Sequence, residues 1–216
     1  MFKYILFLFS LFFIISCTSK APEEVSVNPN SEKTIVALGD SLTAWYGLPL
    51  IDAYPSQLEA RLWEKWYGYR LVNAWVSGDT TAGLLSRLDW VLEWDTPSLI
   101  ILCVGANDAF QWKDTVEIEK NLRQIIEKIQ SKNIPILFAG MRAPLNLGGE
   151  YGKRYEAIFP KLAKEYNLIF MDFFLKDVAL KANLNQDDRI HPNRQWYTIV
   201  VENLMRILEE EIVVRR

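Results

Sequence analysis

The 216-residue chain holds one histidine and two cysteines, and each scarcity closes off a class of protein. A single imidazole, His191, does not support a catalytic zinc site of the usual kind. Two cysteines, Cys17 and Cys103, do not build a disulfide framework. Positive charge is not in excess either: the formal net charge is −3 and no basic run occurs away from the chain ends, which argues against nucleic acid as a partner. The apolar stretch Tyr4 to Ile15 falls short of the roughly 20 residues that a spanning helix needs. Also missing are the Walker A loop, Gly-x-Gly-x-x-Gly, His-Glu-x-x-His and Cys-x-x-Cys. Position 43 is threonine, so Ser41 does not lie in the Gly-x-Ser-x-Gly elbow of α/β-hydrolases.

What is present begins with a leader. Met1-Phe2-Lys3 is a short basic start, and the apolar stretch behind it matches a secretory h-region, so residues 1–16 read as a signal peptide. Ile14-Ile15-Ser16-Cys17 resembles the lipobox of bacterial lipoproteins, which implies acylation of Cys17 and stable attachment to a membrane. Residues 17–33 are polar and include Pro22, Asn28, Pro29 and Asn30, the composition of a flexible tether. Such a tether holds its cargo on the order of 20 Å from the surface. The remainder, 34–216, is expected to be one domain with a full core, acting as a monomer on the periplasmic or cell-surface side.

Within that domain five apolar runs have strand length: Thr34–Leu38, Arg70–Val76, Ser98–Val104, Ile134–Ala139 and Leu168–Met171. Helical spacing separates them. Pro55 suits a first turn, with Leu58, Leu62 and Trp66 following every fourth residue. Trp63, Trp66 and Tyr67 at this spacing read as core and helix flank. Asp114-Thr115-Val116-Glu117 has the form of a capping box ahead of Ile118, Leu122, Ile125, Ile126 and Ile129. Tyr155 to Tyr166 and Asn193 to Glu210 complete the set, the last with Val200, Leu204 and Leu208 inward. Strand and helix in alternation indicate βαβ units, a parallel sheet and helices on both faces. Cys103 falls inside an apolar run and reads as a buried thiol.

In a parallel α/β sheet, ligands gather at the carboxyl ends of the strands. Strand one leads into Gly39-Asp40-Ser41-Leu42, strand two into Ser77-Gly78-Asp79-Thr80-Thr81, and strand three into Gly105-Ala106-Asn107-Asp108. Far downstream, Asp188 precedes His191 by three residues. These are the parts of nucleophilic acyl transfer: Ser41 as nucleophile, His191 as base, and Asp188 fixing the imidazole tautomer. Backbone N–H groups of Ser41 and Gly78, with the Asn107 side-chain amide, are candidate oxyanion donors. Trp45, Leu48, Phe110 and Leu145 lie near these loops and read equally as acceptors for an acyl chain or as loop packing.

Taken together, Gly39-Asp40-Ser41-Leu42, Ser77-Gly78-Asp79, Gly105-Ala106-Asn107-Asp108 and Asp188-Arg189-Ile190-His191-Pro192-Asn193 resemble the four blocks of the SGNH (GDSL) hydrolase family, in the family's order. Leu71-Val72-Asn73-Ala74 and Phe159-Pro160-Lys161-Leu162-Ala163 are similar to the thioesterase I, arylesterase and lysophospholipase L1 branch. The resemblance implies a flavodoxin-like α/β/α sandwich with strand order 2-1-3-4-5, an Asp188–His191 pair behind Ser41, an oxyanion hole completed by Gly78 and Asn107, and no metal or organic cofactor. It implies hydrolysis of carboxylic esters or thioesters, with a small-molecule ester or lipid as substrate. Two alternatives stay open here: deacetylation of an O-acetylated carbohydrate, and a non-catalytic lipoprotein that binds lipids or glycans. Arg189 and Trp196 depart from the family pattern, which favours small residues there, and both bear on substrate size.

Overall fold

A computed structural model of the chain describes residues 33–43, 48–94, 97–144, 147–179, 181–186 and 193–214. Five strands, β1 (Lys33–Gly39), β2 (Tyr69–Trp75), β3 (Leu99–Cys103), β4 (Ile136–Ala139) and β5 (Ile169–Met171), form one sheet in the order β2-β1-β3-β4-β5. Every neighbouring pair is parallel, with Gly39 level with Trp75 on one side and Cys103 on the other. The strands match the apolar runs to within two residues at each end. β3 is the centre, buried at all five positions, as expected of a strand covered on both faces. The outer strand β2 is half-buried throughout.

Right-handed crossovers set the layers. Helix α1 (Tyr54–Glu64) carries the chain from β1 to β2 and packs beside the last helix, α6 (Arg194–Val214). The steps toward β3, β4 and β5 run the other way across the sheet. They put α2 (Thr81–Trp94), α4 (Thr115–Gln130) and α5 (Gly149–Glu165) on the opposite face, where α4 packs against both neighbours. A five-residue helix, α3 (Ala106–Phe110), lies between β3 and α4. Asp114 caps α4 by accepting from the N–H of Val116, and Ile118, Leu122, Ile125, Ile126 and Ile129 are all buried beneath it. Val200, Leu204 and Leu208 of α6 point into the core, as does the Cys103 thiol.

Three expectations need correction. Trp66 does not continue the apolar stripe of α1: the helix ends at Glu64, and Trp66 stands beyond it with φ of 62° and 88% exposure. The spacing from Leu58 and Leu62 extends past a terminus that the left-handed residue enforces. Helix α5 starts at Gly149, well before Tyr155, because Gly148 supplies the positive φ at the entry and the Gly-rich stretch is the helix start. Helix α2 is an addition to the expected set, held to the core by Leu84, Leu88 and Val91.

Candidate active site

Ser41 stands half-buried just past the carboxyl end of β1, in a turn closed by the Thr43 N–H donating to the Asp40 carbonyl at 3.0 Å. The Asp40 carboxylate folds back on the same turn, its Oδ1 accepting from the Leu42 N–H at 2.9 Å. Gly39 makes this turn possible. A Cβ there would run into the Cys103 carbonyl oxygen and the Thr43 hydroxyl, so only glycine lets β1 end this close to β3.

The β2 loop is lashed to that turn. Val76 N–H donates to the Gly39 carbonyl at 3.2 Å, and Gly78 turns the chain with φ of 77°, a left-handed conformation suited to glycine. Arg87, on α2, reaches underneath. Its Nε donates to Asp79 Oδ2 at 2.8 Å while Nη2 donates to the Ala74 and Gly39 carbonyls at 3.1 and 3.2 Å. One guanidinium therefore joins the ends of β1 and β2 to the loop that holds Gly78, using the several directed donors that lysine lacks.

The β3 loop closes the arrangement. Asn107 Nδ2 donates to the Asp79 carbonyl at 2.9 Å, which brings its amide beside the residue after Gly78. An amide nitrogen carries two hydrogens, so a second remains for a ligand. Asp108 is buried and accepts from the Thr81 N–H at 2.8 Å and the Thr81 hydroxyl at 2.7 Å; Asn121 Nδ2 donates to that hydroxyl at 3.1 Å. The start of α2 is thus fixed to the loop of Asn107.

Burial governs the charges here. Desolvation pushes the Asp40 carboxyl up to about 7, with the nearby Asp79 and Asp108 charges adding to the rise and the Leu42 N–H opposing it. Asp40 Oδ2 has no hydrogen-bond partner among the described residues. Burial likewise raises Asp108, against the lowering effect of its Thr81 bonds, and pushes the Cys103 thiol well up. Arg87, Asp79, Thr81 and Asp108 form a supporting network that the site residues alone do not announce. A sequence signal does exist for Arg87, a cation on a helix otherwise held inward by Leu84, Leu88 and Val91.

Ser41, Gly78 and Asn107 thus share one edge of the sheet. Asp188 and His191 lie outside the described residues, as do Arg189, Cys17, Trp45 and Leu145. The stem of the segment that carries Asp188 and His191 is well held: Asn193 N–H donates to the Leu184 carbonyl at 3.0 Å, Asn193 Nδ2 to the Asn183 carbonyl at 2.9 Å, and Asn193 Oδ1 accepts from the Trp196 N–H at 3.1 Å. Trp196 is core rather than cleft, packed edge-on against Phe174 and Tyr197. Leu48 packs against the core, while Phe110 is exposed. A cleft of about 520 Å³ beside β5 and α6, lined by Arg142, Lys176, Lys181 and Arg206 among others, includes none of the candidate residues.

Residues 37–199 match the GDSL-like Lipase/Acylhydrolase family. The chain belongs to this family. It is 35% identical over 177 residues to the Thioesterase 1/protease 1/lysophospholipase L1 of Escherichia coli strain K12, covering 82% of this chain and 83% of that protein. It is 36% identical over 192 residues to an arylesterase of Vibrio mimicus, covering 89% and 91%. Among solved structures, the psychrotrophic esterase EstA from Pseudoalteromonas sp., inhibited by monoethylphosphonate, superposes with a TM-score of 0.80 at 29% identity, covering 84% of this chain and 99% of EstA. This GDSL hydrolase is accordingly an enzyme acting on ester bonds, built on the five-stranded parallel sheet of its structural relatives.

Proposed function

We propose that this GDSL hydrolase cleaves carboxylic esters and thioesters, including aryl esters and lysophospholipid-like substrates, through an acyl-enzyme formed on Ser41. The observation that carries the assignment is the Asn107–Asp79 bond, which sets the Asn107 amide beside Gly78 on the strand edge where Ser41 emerges. In this mechanism Ser41 Oγ attacks the substrate carbonyl as His191 takes its proton, and Asp188 holds the ring and stabilises the imidazolium. The oxyanion accepts hydrogen bonds from the Ser41 and Gly78 N–H groups and from the free Asn107 hydrogen. His191 then returns the proton to the departing alcohol or thiol. Water, deprotonated by the same ring, releases the acid and restores Ser41. A phosphonate resembles the tetrahedral intermediate, and the inhibition of EstA by monoethylphosphonate supports this route.

The Ile14-Ile15-Ser16-Cys17 segment supports a lipoprotein reading: residues 1–16 are removed, Cys17 is acylated, 17–33 tether the domain, and 34–216 work on the periplasmic or cell-surface side of a membrane. Metabolic labelling with an alkyne fatty acid tests this, since Cys17→Ser must abolish the label. The enzymatic assignment is tested with a fluorophosphonate and an ester panel. Wild type labels and turns over hexanoate and longer esters, whereas Ser41→Ala does neither while remaining folded. Full turnover by Ser41→Ala refutes the mechanism, and activity confined to acetate refutes the acyl-chain substrate class.

A further inference from the structure

Eight large apolar side chains are exposed among the described residues, and six of them, Leu50, Ile51, Val76, Phe110, Trp112 and Val116, lie on one edge of the molecule. They occupy the 3₁₀ turn after β1, the residue after β2, and the stretch from the end of α3 into the first turn of α4. These are the segments at the carboxyl ends of the strands, the edge that holds Ser41. The other two, Trp66 and Trp90, are elsewhere, beyond α1 and on α2. The helix flanks, by contrast, carry paired charges: Arg61 with Glu202 at 2.6 Å, Lys128 with Asp89 at 2.7 Å and Lys161 with Glu119 at 2.8 Å. Exposed apolar area gathered on one rim is a mark of an interaction surface.

We infer that this rim rests on the surface of a phospholipid bilayer, so that the enzyme takes its ester directly from the membrane; this deepens the function proposed above and rests on it. The distribution fits a soft planar partner. The side chains come from three separate loops around the strand ends; Trp112 is of the amphipathic aromatic type that favours membrane–water boundaries, and Phe110 adds apolar area of the kind that inserts. Lys113, Asp114 and Glu117 stand among them with one positive charge against two negative, so the attraction is apolar and does not require anionic lipid. Chain length permits the pose. The described chain begins at Lys33, on the opposite edge of the sheet, and Thr18 to Lys33 is sixteen residues. Extended, sixteen residues reach roughly 55 Å, against roughly 23 Å for the seven residues of β1. A domain held at Cys17 can therefore turn its far edge onto the membrane that anchors it.

The test uses the full acylated chain in phosphatidylcholine vesicles. Brominating the lipid acyl chains should quench tryptophan emission in wild type, and Trp112→Phe should remove most of that quenching. In the same vesicles Ile51→Ser/Trp112→Ser/Val116→Ser should lose at least roughly tenfold in turnover of a bilayer-embedded ester, since burying even one such side chain is worth about that factor. Turnover of a water-soluble short ester should stay within about twofold, which shows that the variant is folded. Emission indifferent to bromination, with normal turnover of the soluble ester, overturns the inference. So does an equal loss on a long-chain ester kept monomeric in solution, because the rim would then be part of the acyl cleft, and so does a rim-dependent dimer in the vesicles. Trp112-dependent quenching without hydrolysis of any ester upholds the membrane contact and sinks only the enzymatic reading.

Discussion

Replacing Asp40 with asparagine is expected to leave stability nearly unchanged at about pH 4 and to raise it progressively toward pH 8. The carboxyl is fully buried and its folded-state value is pushed from 3.8 up to about 7. Between those limits the folded chain keeps a proton that the unfolded chain has released. Folding therefore takes up a proton, and stability falls as pH rises through that window, levelling off above about 7. Each unit of displacement corresponds to about 1.4 kcal/mol, so the full penalty approaches roughly 4 kcal/mol, an upper figure because local relaxation and water entry reduce it. Asparagine keeps an oxygen to accept from the Leu42 N–H and places an amide where Oδ2 now lacks a partner, so the turn survives while the charge is gone. Urea unfolding of both proteins at about pH 4, 6 and 8 measures the effect. Other titrating groups are common to both chains, so they largely cancel in the difference. A gap between the two midpoints that stays constant across this range would refute the reasoning, since it would mean that Asp40 titrates alike in the folded and unfolded chains.

Other perturbations address the supporting network and the turn. Arg87→Met leaves Asp79 buried without its cation and should cost about 3–5 kcal/mol by chemical denaturation, with Arg87→Lys recovering part of it. Asn107→Ala removes the proposed oxyanion donor and its anchor to Asp79, so kcat should fall about 100- to 1,000-fold with the protein still folded; near-normal turnover would exclude Asn107 from the oxyanion hole. Gly39→Ala forces a methyl into the Cys103 carbonyl and the Thr43 hydroxyl, and a loss of about 2 kcal/mol or more in thermal unfolding is expected.

The sheet was legible because a parallel strand covered on both faces must be apolar at almost every position, and Leu99-Ile100-Ile101-Leu102-Cys103 has few other uses. The loops that hold Ser41, Gly78 and Asn107 were legible because their glycine, asparagine and aspartate residues break those runs at their carboxyl ends. Helix boundaries were harder. Gly148-Gly149 has the local chemistry of a turn, yet the turn it makes is the entry to a helix; Trp66 kept the helical spacing but fell past a terminus fixed by a left-handed residue. The supporting network escaped for a different reason. The Arg87 bond to the Gly39 carbonyl joins residues 48 apart, and the Asn107 bond to the Asp79 carbonyl joins residues 28 apart, distances that no local pattern encodes. Asp40 looks from sequence like an ordinary solvated turn former, and only its enclosure changes its chemistry.

The position of Cys103 has a practical consequence. Its sulfur lies on the middle strand with no solvent exposure, hydrogen-bonded β-neighbours on either side and helices above and below. Alkylating reagents in the medium reach it only when the structure around the end of β3 opens, so consumption of the thiol reports that opening. With Cys17 replaced by serine, Cys103 becomes a single-site reporter readable by mass spectrometry, and where the reagent outpaces reclosing the signal gives the opening rate itself.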